Sequence, residues 1–161
     1  MRKVVPMADL CPVMEETLKA GGLVSLTSTG TSMLPMLKHQ RDIVILEQIT
    51  SPLHVNDVVL YRRESGQFVL HRIVGMESNS DYVLCGDNQF IQEHHIARQQ
   101  IIGRLQSFTR KGRRISCASP SYKAYVCLLP LLRFLKRGNL VCRRYAAALK
   151  RRIRRPMSGN R

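Results

Sequence analysis

Residues 104–161 contain no aspartate or glutamate, against 17 lysines and arginines. The preceding residues hold 9 basic and 11 acidic side chains, so the formal charge of +15 is carried by the last third of the chain. That imbalance selects an anionic partner for the tail and none for the rest. No run of 18 or more apolar residues exists, which leaves no candidate transmembrane span. No apolar core precedes Asp9, so the N-terminus is not of the secretory type and the chain is expected to start in the cytoplasm. Five scattered cysteines form no C-x-x-C pair, excluding a zinc ribbon or dithiol redox site, and their odd number suits a reducing compartment. No repeat or low-complexity segment occurs. What is present, 161 residues with 44% hydrophobic and 23% charged, suffices for one folded domain with appendages.

Apolar spacing gives the organisation. Leu10, Met14 and Leu18 recur at helical intervals behind Asp9, predicting a short helix over 9–20 that ends at Gly21-Gly22. Strand-length runs come next, at 23–28, 42–47, 57–63, 68–74, 82–85 and 100–108, separated by turn residues. Arg63–Phe68 reads as a hairpin loop. Residues 21–117 therefore read as one mainly antiparallel β domain, with residues 1–20 an N-terminal helix. Beyond Pro120 the pattern changes to two basic amphipathic helices, divided at Gly138-Asn139, so 118–161 form a basic helical appendage.

Three short stretches carry chemistry. In Thr29-Gly30-Thr31-Ser32-Met33-Leu34-Pro35, a serine follows a permissive glycine where a strand turns. Such a turn can expose a hydroxyl and aim backbone N–H groups at one point, as an acyl-transfer nucleophile requires. His71 lies mid-strand, on one face with Val69 and Ile73, while Phe68, Leu70, Arg72 and Val74 take the other. Burial there disfavours imidazolium and suits a general base. Cys85-Gly86-Asp87-Asn88 follows a strand, and a carboxylate so placed can orient an imidazole.

In combination these stretches resemble the signal peptidase I family, in the branch whose general base is histidine. Ser32-Met33-Leu34-Pro35 is similar to its nucleophile box, His71-Arg72-Ile73-Val74 to its base box, and Gly86-Asp87-Asn88 to its final box. Its glycine–aspartate box is echoed by Arg41-Asp42-Ile43-Val44 and again by Asn56-Asp57-Val58-Val59. The likeness covers about residues 23–107. It implies a serine endopeptidase that cuts a peptide or preprotein beside small residues, as in signal peptide processing, without a cofactor. Ser32 would be the nucleophile, His71 the general base and Asp87 the acid that orients it, with Glu93 a possible supporting acid. The Ser32 backbone N–H would serve the oxyanion, with Thr31 or Thr29 able to add a hydroxyl. The family's usual anchoring helix has no counterpart here. Arg41 stands for the usual glycine and Glu93 for an aspartate, so a specialised or self-processing substrate, as in the related self-cleaving repressor peptidases, is equally compatible.

Competing readings rest on other residues. Cys85, Asp87, Glu93, His94 and His95 are clustered in sequence, but adjacent strand histidines point to opposite faces and no H-E-x-x-H spacing exists, so no metal site is expected. The basic tail has few aromatics and no nucleic-acid-binding signature, which disfavours nucleic acid. Its leucine, valine and alanine content suits an anionic membrane surface, giving a peripheral membrane-associated or cytoplasmic protein. A catalytically silent, peptide-binding relative is the remaining alternative.

Overall fold

The computed structural model describes the backbone of residues 7–153 and the side chains of residues 7 and 9–137. Helix α1 (Met7–Lys19) places Cys11, Met14 and Leu18 on its buried stripe and leaves Val13 exposed. It ends where Gly21 takes φ +78° and the Gly21 and Gly22 N–H groups return to the Leu18 and Thr17 carbonyls. A Cβ on Gly22 would stand 2.9 Å from the Thr17 oxygen, so the double glycine is a steric requirement of that stop.

Eight strands come after it: β1 (Val24–Thr27), β2 (Ile43–Glu47), β3 (Val58–Arg62), β4 (Phe68–Met76), β5 (Tyr82–Cys85), β6 (Glu93–Ile96), β7 (Ile101–Arg110) and β8 (Arg113–Ser116). They form one antiparallel sheet in the order β1-β2-β7-β3-β4-β5-β6, with β8 also on β7. The fold is mainly antiparallel β with a short N-terminal helix and a C-terminal helix, as the sequence pattern implies. The expected hairpin between β3 and β4 is closed by Arg63 N–H to Gln67 O at 2.9 Å.

Four of the five residues of β3 are buried, because this central strand is covered on both faces. Val59, Tyr61, Ile73 and Leu84 form the heart of one core, each essentially inaccessible. Two strand segments keep an edge for something else. Among the described residues, β1 pairs only with β2, and residues 68–71 of β4 pair only with β3, since β5 joins β4 from Arg72 onward.

Two strands escape the alternation rule. β6, Glu-His-His-Ile, and β8, Arg-Arg-Ile-Ser, carry too few apolar residues to be read as strands; they sit on β5 and β7, where one apolar contact each suffices. Helix α2 (Pro120–Ile153) is a further correction, being one continuous helix through Gly138-Asn139 in place of two. A mid-helix glycine costs only about 1 kcal/mol relative to alanine, which the leucine-, alanine- and arginine-rich flanks outweigh. Ser119 starts it: its hydroxyl accepts from the Tyr122 N–H at 3.3 Å, and Pro120 takes the first helical position. A compact unit ends at Ala124 and a second comprises residues 125–161, so the β domain extends past the expected boundary at 117. Among the described residues no helix is long and apolar enough to cross a membrane.

Candidate active site

Ser32 is half-buried in the turn after β1, and the third stretch packs directly against it. The Asn88 N–H donates to the Ser32 carbonyl at 2.7 Å, and Asn88 Nδ2 donates to the Thr31 carbonyl at 3.1 Å. A Cβ on Gly86 would stand 2.7 Å from the Ser32 oxygen and 3.0 Å from its Cβ. Glycine is thus what permits the Gly86–Asn88 loop to reach the serine turn. On its other side the turn is tied to the start of β2: Ser28 N–H donates to the Asp42 carbonyl, and buried Asp42 accepts from Arg41 and from the Lys38 N–H. The Leu34–Pro35 peptide is cis.

His71, only 1% exposed, projects from β4 toward Tyr61 and Glu93. Its Nδ1 lies 3.2 Å from Glu93 Oε1 and 3.2 Å from the Tyr61 hydroxyl. Tyr61 faces Val69 across the β3–β4 ladder, so His71 is its diagonal neighbour on the same face. Arg63 grips Glu93 with both Nε, at 2.7 Å, and Nη2. This guanidinium, with help from the Tyr61 hydroxyl, holds the Glu93 carboxyl below the usual range despite its partial burial. Burial pushes the His71 imidazole below its ordinary 6.5, against the opposing pull of the Glu93 charge. A carboxylate only accepts hydrogen bonds, so the tautomer that pairs with Glu93 carries its proton on Nδ1 and keeps a lone pair on Nε2.

Asp87 is placed differently from its expected role. Both of its oxygens accept from Arg72, Nε to Oδ1 and Nη2 to Oδ2 at 2.8 Å each. Arg72 also donates from Nη1 to the Asn56 carbonyl and to the Tyr122 hydroxyl, at 2.8 and 2.9 Å. The acid at Nδ1 of His71 is therefore Glu93, and Asp87 acts on the site by fixing the loop that carries Gly86 and Asn88. Alternation gives the reason: consecutive residues His71 and Arg72 face opposite sides of β4, and each takes its own acid. The metal-type set weighed from the sequence does not assemble. Asp87 goes to Arg72 and Glu93 to Arg63, while His94 and His95 both turn to Glu77.

Ser32 and His71 line one cavity of about 450 Å³, whose walls include Thr29, Thr31, Leu26 and Phe68. The cavity runs between the two unpaired edges, since Leu26–Ser28 and Phe68–Leu70 also border it. Tyr61, Arg63, Asn88 and Tyr122 were not signalled as site residues by the sequence. Tyr61 and Arg63 had an available cue in their expected strand, hairpinned to the one bearing His71, and Asn88 had one in the Gly86-Asp87-Asn88 box. No known protein-family model matches the chain, and no curated protein matches it.

Proposed function

We propose that this protein is a serine endopeptidase in which Ser32 is the nucleophile, His71 the general base and Glu93 the carboxylate that orients it. The observation that carries this reading is the shared cavity of Ser32 and His71, with an acid already seated on Nδ1. Ser32 Oγ attacks a peptide carbonyl as its proton passes to Nε2 of His71. The tetrahedral adduct expels the amine, which takes that proton, and leaves an ester on Oγ. Water then attacks the ester, gives its proton to Nε2, and the carboxylic acid leaves as Oγ is reprotonated. The Ser32 N–H serves the oxyanion, and a Thr29 or Thr31 hydroxyl on the same cavity wall can add to it. The substrate is an extended segment, as in a preprotein, because backbone groups at both cavity edges can pair with a strand and with little else.

The same reading includes an anionic membrane surface as partner of the basic region. Leu128, Leu131, Leu132 and Leu135 fall at i, i+3, i+4 and i+7 of α2 and are exposed, with Arg133, Lys136 and Arg137 between and beside them. The protein would then work at that surface or in the adjoining cytoplasm.

The test is cleavage of a peptide library by wild type, Ser32→Ala and His71→Ala, with fluorophosphonate labelling of the serine. Loss of cleavage in both folded variants, with label on Ser32 alone, is expected. Equal cleavage by all three sinks the reading; a folded, unlabelled and inactive wild type makes the protein a peptide-binding relative.

A further inference from the structure

The tip of the β4–β5 hairpin lies beside the end of β6, at residues the peptidase reading does not use, although β4 also carries His71 and β6 begins with Glu93. Glu77 N–H donates to the Asp81 carbonyl at 2.8 Å, closing the loop and bringing both carboxylates to its mouth. β6 presents two consecutive histidines to this mouth. Adjacent strand residues ordinarily face opposite ways, but His95 has φ +57°, and this left-handed turn brings both imidazoles to one carboxylate. His94 Nδ1 is 2.9 Å from Glu77 Oε1, and His95 Nδ1 is 2.6 Å from Oε2. Oε2 itself is buried and accepts no hydrogen bond from the described residues, close as His95 lies to it. One ligand atom each from Glu77, Asp81 and His95 lies within 4.8 Å of the others.

We infer that Glu77, Asp81 and His95 form a binding site for one divalent transition-metal ion of the zinc class. The inference stands apart from the peptidase reading. Two carboxylates and a neutral imidazole carry a charge of −2, which a divalent ion neutralises. A nitrogen ligand with two oxygens favours zinc-class ions over calcium, which takes oxygen alone. Bonds of about 2.0–2.2 Å place ligand atoms about 3.4 Å apart, so the 2.6 Å contact of His95 with Glu77 must open and any wider separation must close, movements open to side chains at a surface. The ion would stand between Glu77 Oε2 and His95 Nδ1, now 2.6 Å apart, and bind both. His94 and Asn79 complete the arrangement from outside. His94 bonds the opposite oxygen of Glu77, and Asn79 Nδ2 donates to Asp81 Oδ2 at 2.6 Å, so each carboxylate is oriented with one oxygen left for metal. The ligands join the hairpin to the edge strand β6, so the bound ion would pin that strand.

Isothermal titration of the full chain, without any affinity tag, with Zn²⁺ tests the site. One ion per chain is expected to bind to wild type and to raise its thermal midpoint. Glu77→Gln and His95→Asn are expected to lower affinity at least a hundredfold, asparagine being chosen because it tolerates positive φ. His94→Ala should weaken binding about 10–100-fold as an orienting residue. Absence of Zn²⁺ binding at micromolar concentrations overturns the assignment. So does binding that Glu77→Gln and His95→Asn leave unchanged, or that is lost only in Cys85→Ser. Circular dichroism of each variant confirms that it folds before its affinity is read.

Discussion

His71 and Arg72 are neighbours on β4 with opposite electrostatic surroundings. On one face His71 meets Glu93, an acid 22% exposed and shared with Arg63, itself 33% exposed. On the other, Arg72 and Asp87 form a pair whose side chains are 1% and 0% exposed. The first arrangement keeps a titratable group next to a cavity, where its protonation can change during a reaction. The second is locked: a permanent cation, a bidentate acid and two further acceptors leave nothing free to exchange with water. One strand thus separates an adjustable proton carrier from a rigid brace, and the brace holds the loop against Ser32.

Breaking the brace should have the largest effect. Arg72→Met strands a buried carboxylate, and a loss of about 3–5 kcal/mol is expected in urea unfolding, read as a lower midpoint at constant slope. A loss under about 1 kcal/mol would mean that the pair is solvated and the contrast between the faces is false. Glu93→Gln sharpens the other side. It should reduce kcat about a hundredfold with the fold retained, since the amide can present its N–H₂ to Nδ1 and spoil the tautomer. Because Glu93 raises the His71 pKa against burial, the same variant should also move the acid limb of the rate profile to lower pH. A limb that stays in place would remove His71 as the titrating base.

Tyr122→Phe removes one acceptor from Arg72 and should cost about 1.5 kcal/mol, with kcat nearly unchanged. The smallest effect is on the pH dependence of stability. The folded pKa of His71 lies below its unfolded value, so the unfolded chain binds more protons and stability rises with pH across that interval. The contribution is complete above about 6.5 and is lost as pH falls through the depressed value. Unfolding curves of His71→Gln should lack that component; an identical pH profile would show that the imidazole is not buried in the neutral form.

The sequence made the sheet legible wherever an apolar run of strand length was bounded by turn residues, as in Tyr82–Cys85, whose bounds agree to the residue. It was silent at β6 and β8, whose strand form depends on partners far along the chain. The same limit applied to the site. Ser32, His71, Asp87 and Glu93 stand out as residues, but which acid serves the histidine depends on the face of β4 that each loop reaches. Alternation had already put Arg72 opposite His71; the missing fact was that Asp87 arrives on the Arg72 side. Close approach is equally invisible in one dimension, so Gly86 reads as a turn residue until the Ser32 carbonyl is found against it.

Tyr122 gives the basic region a second meaning. A chain cut after Cys117 would keep every strand, Ser32, His71 and Glu93, yet lose the hydroxyl to which Arg72 donates and the ring that packs edge-on to Phe108. The compact unit closes only at Ala124. The first turn of α2 therefore works as the last stitch of the sheet. Progressive shortening from the C-terminus should leave the β domain intact up to this turn and fail abruptly within it.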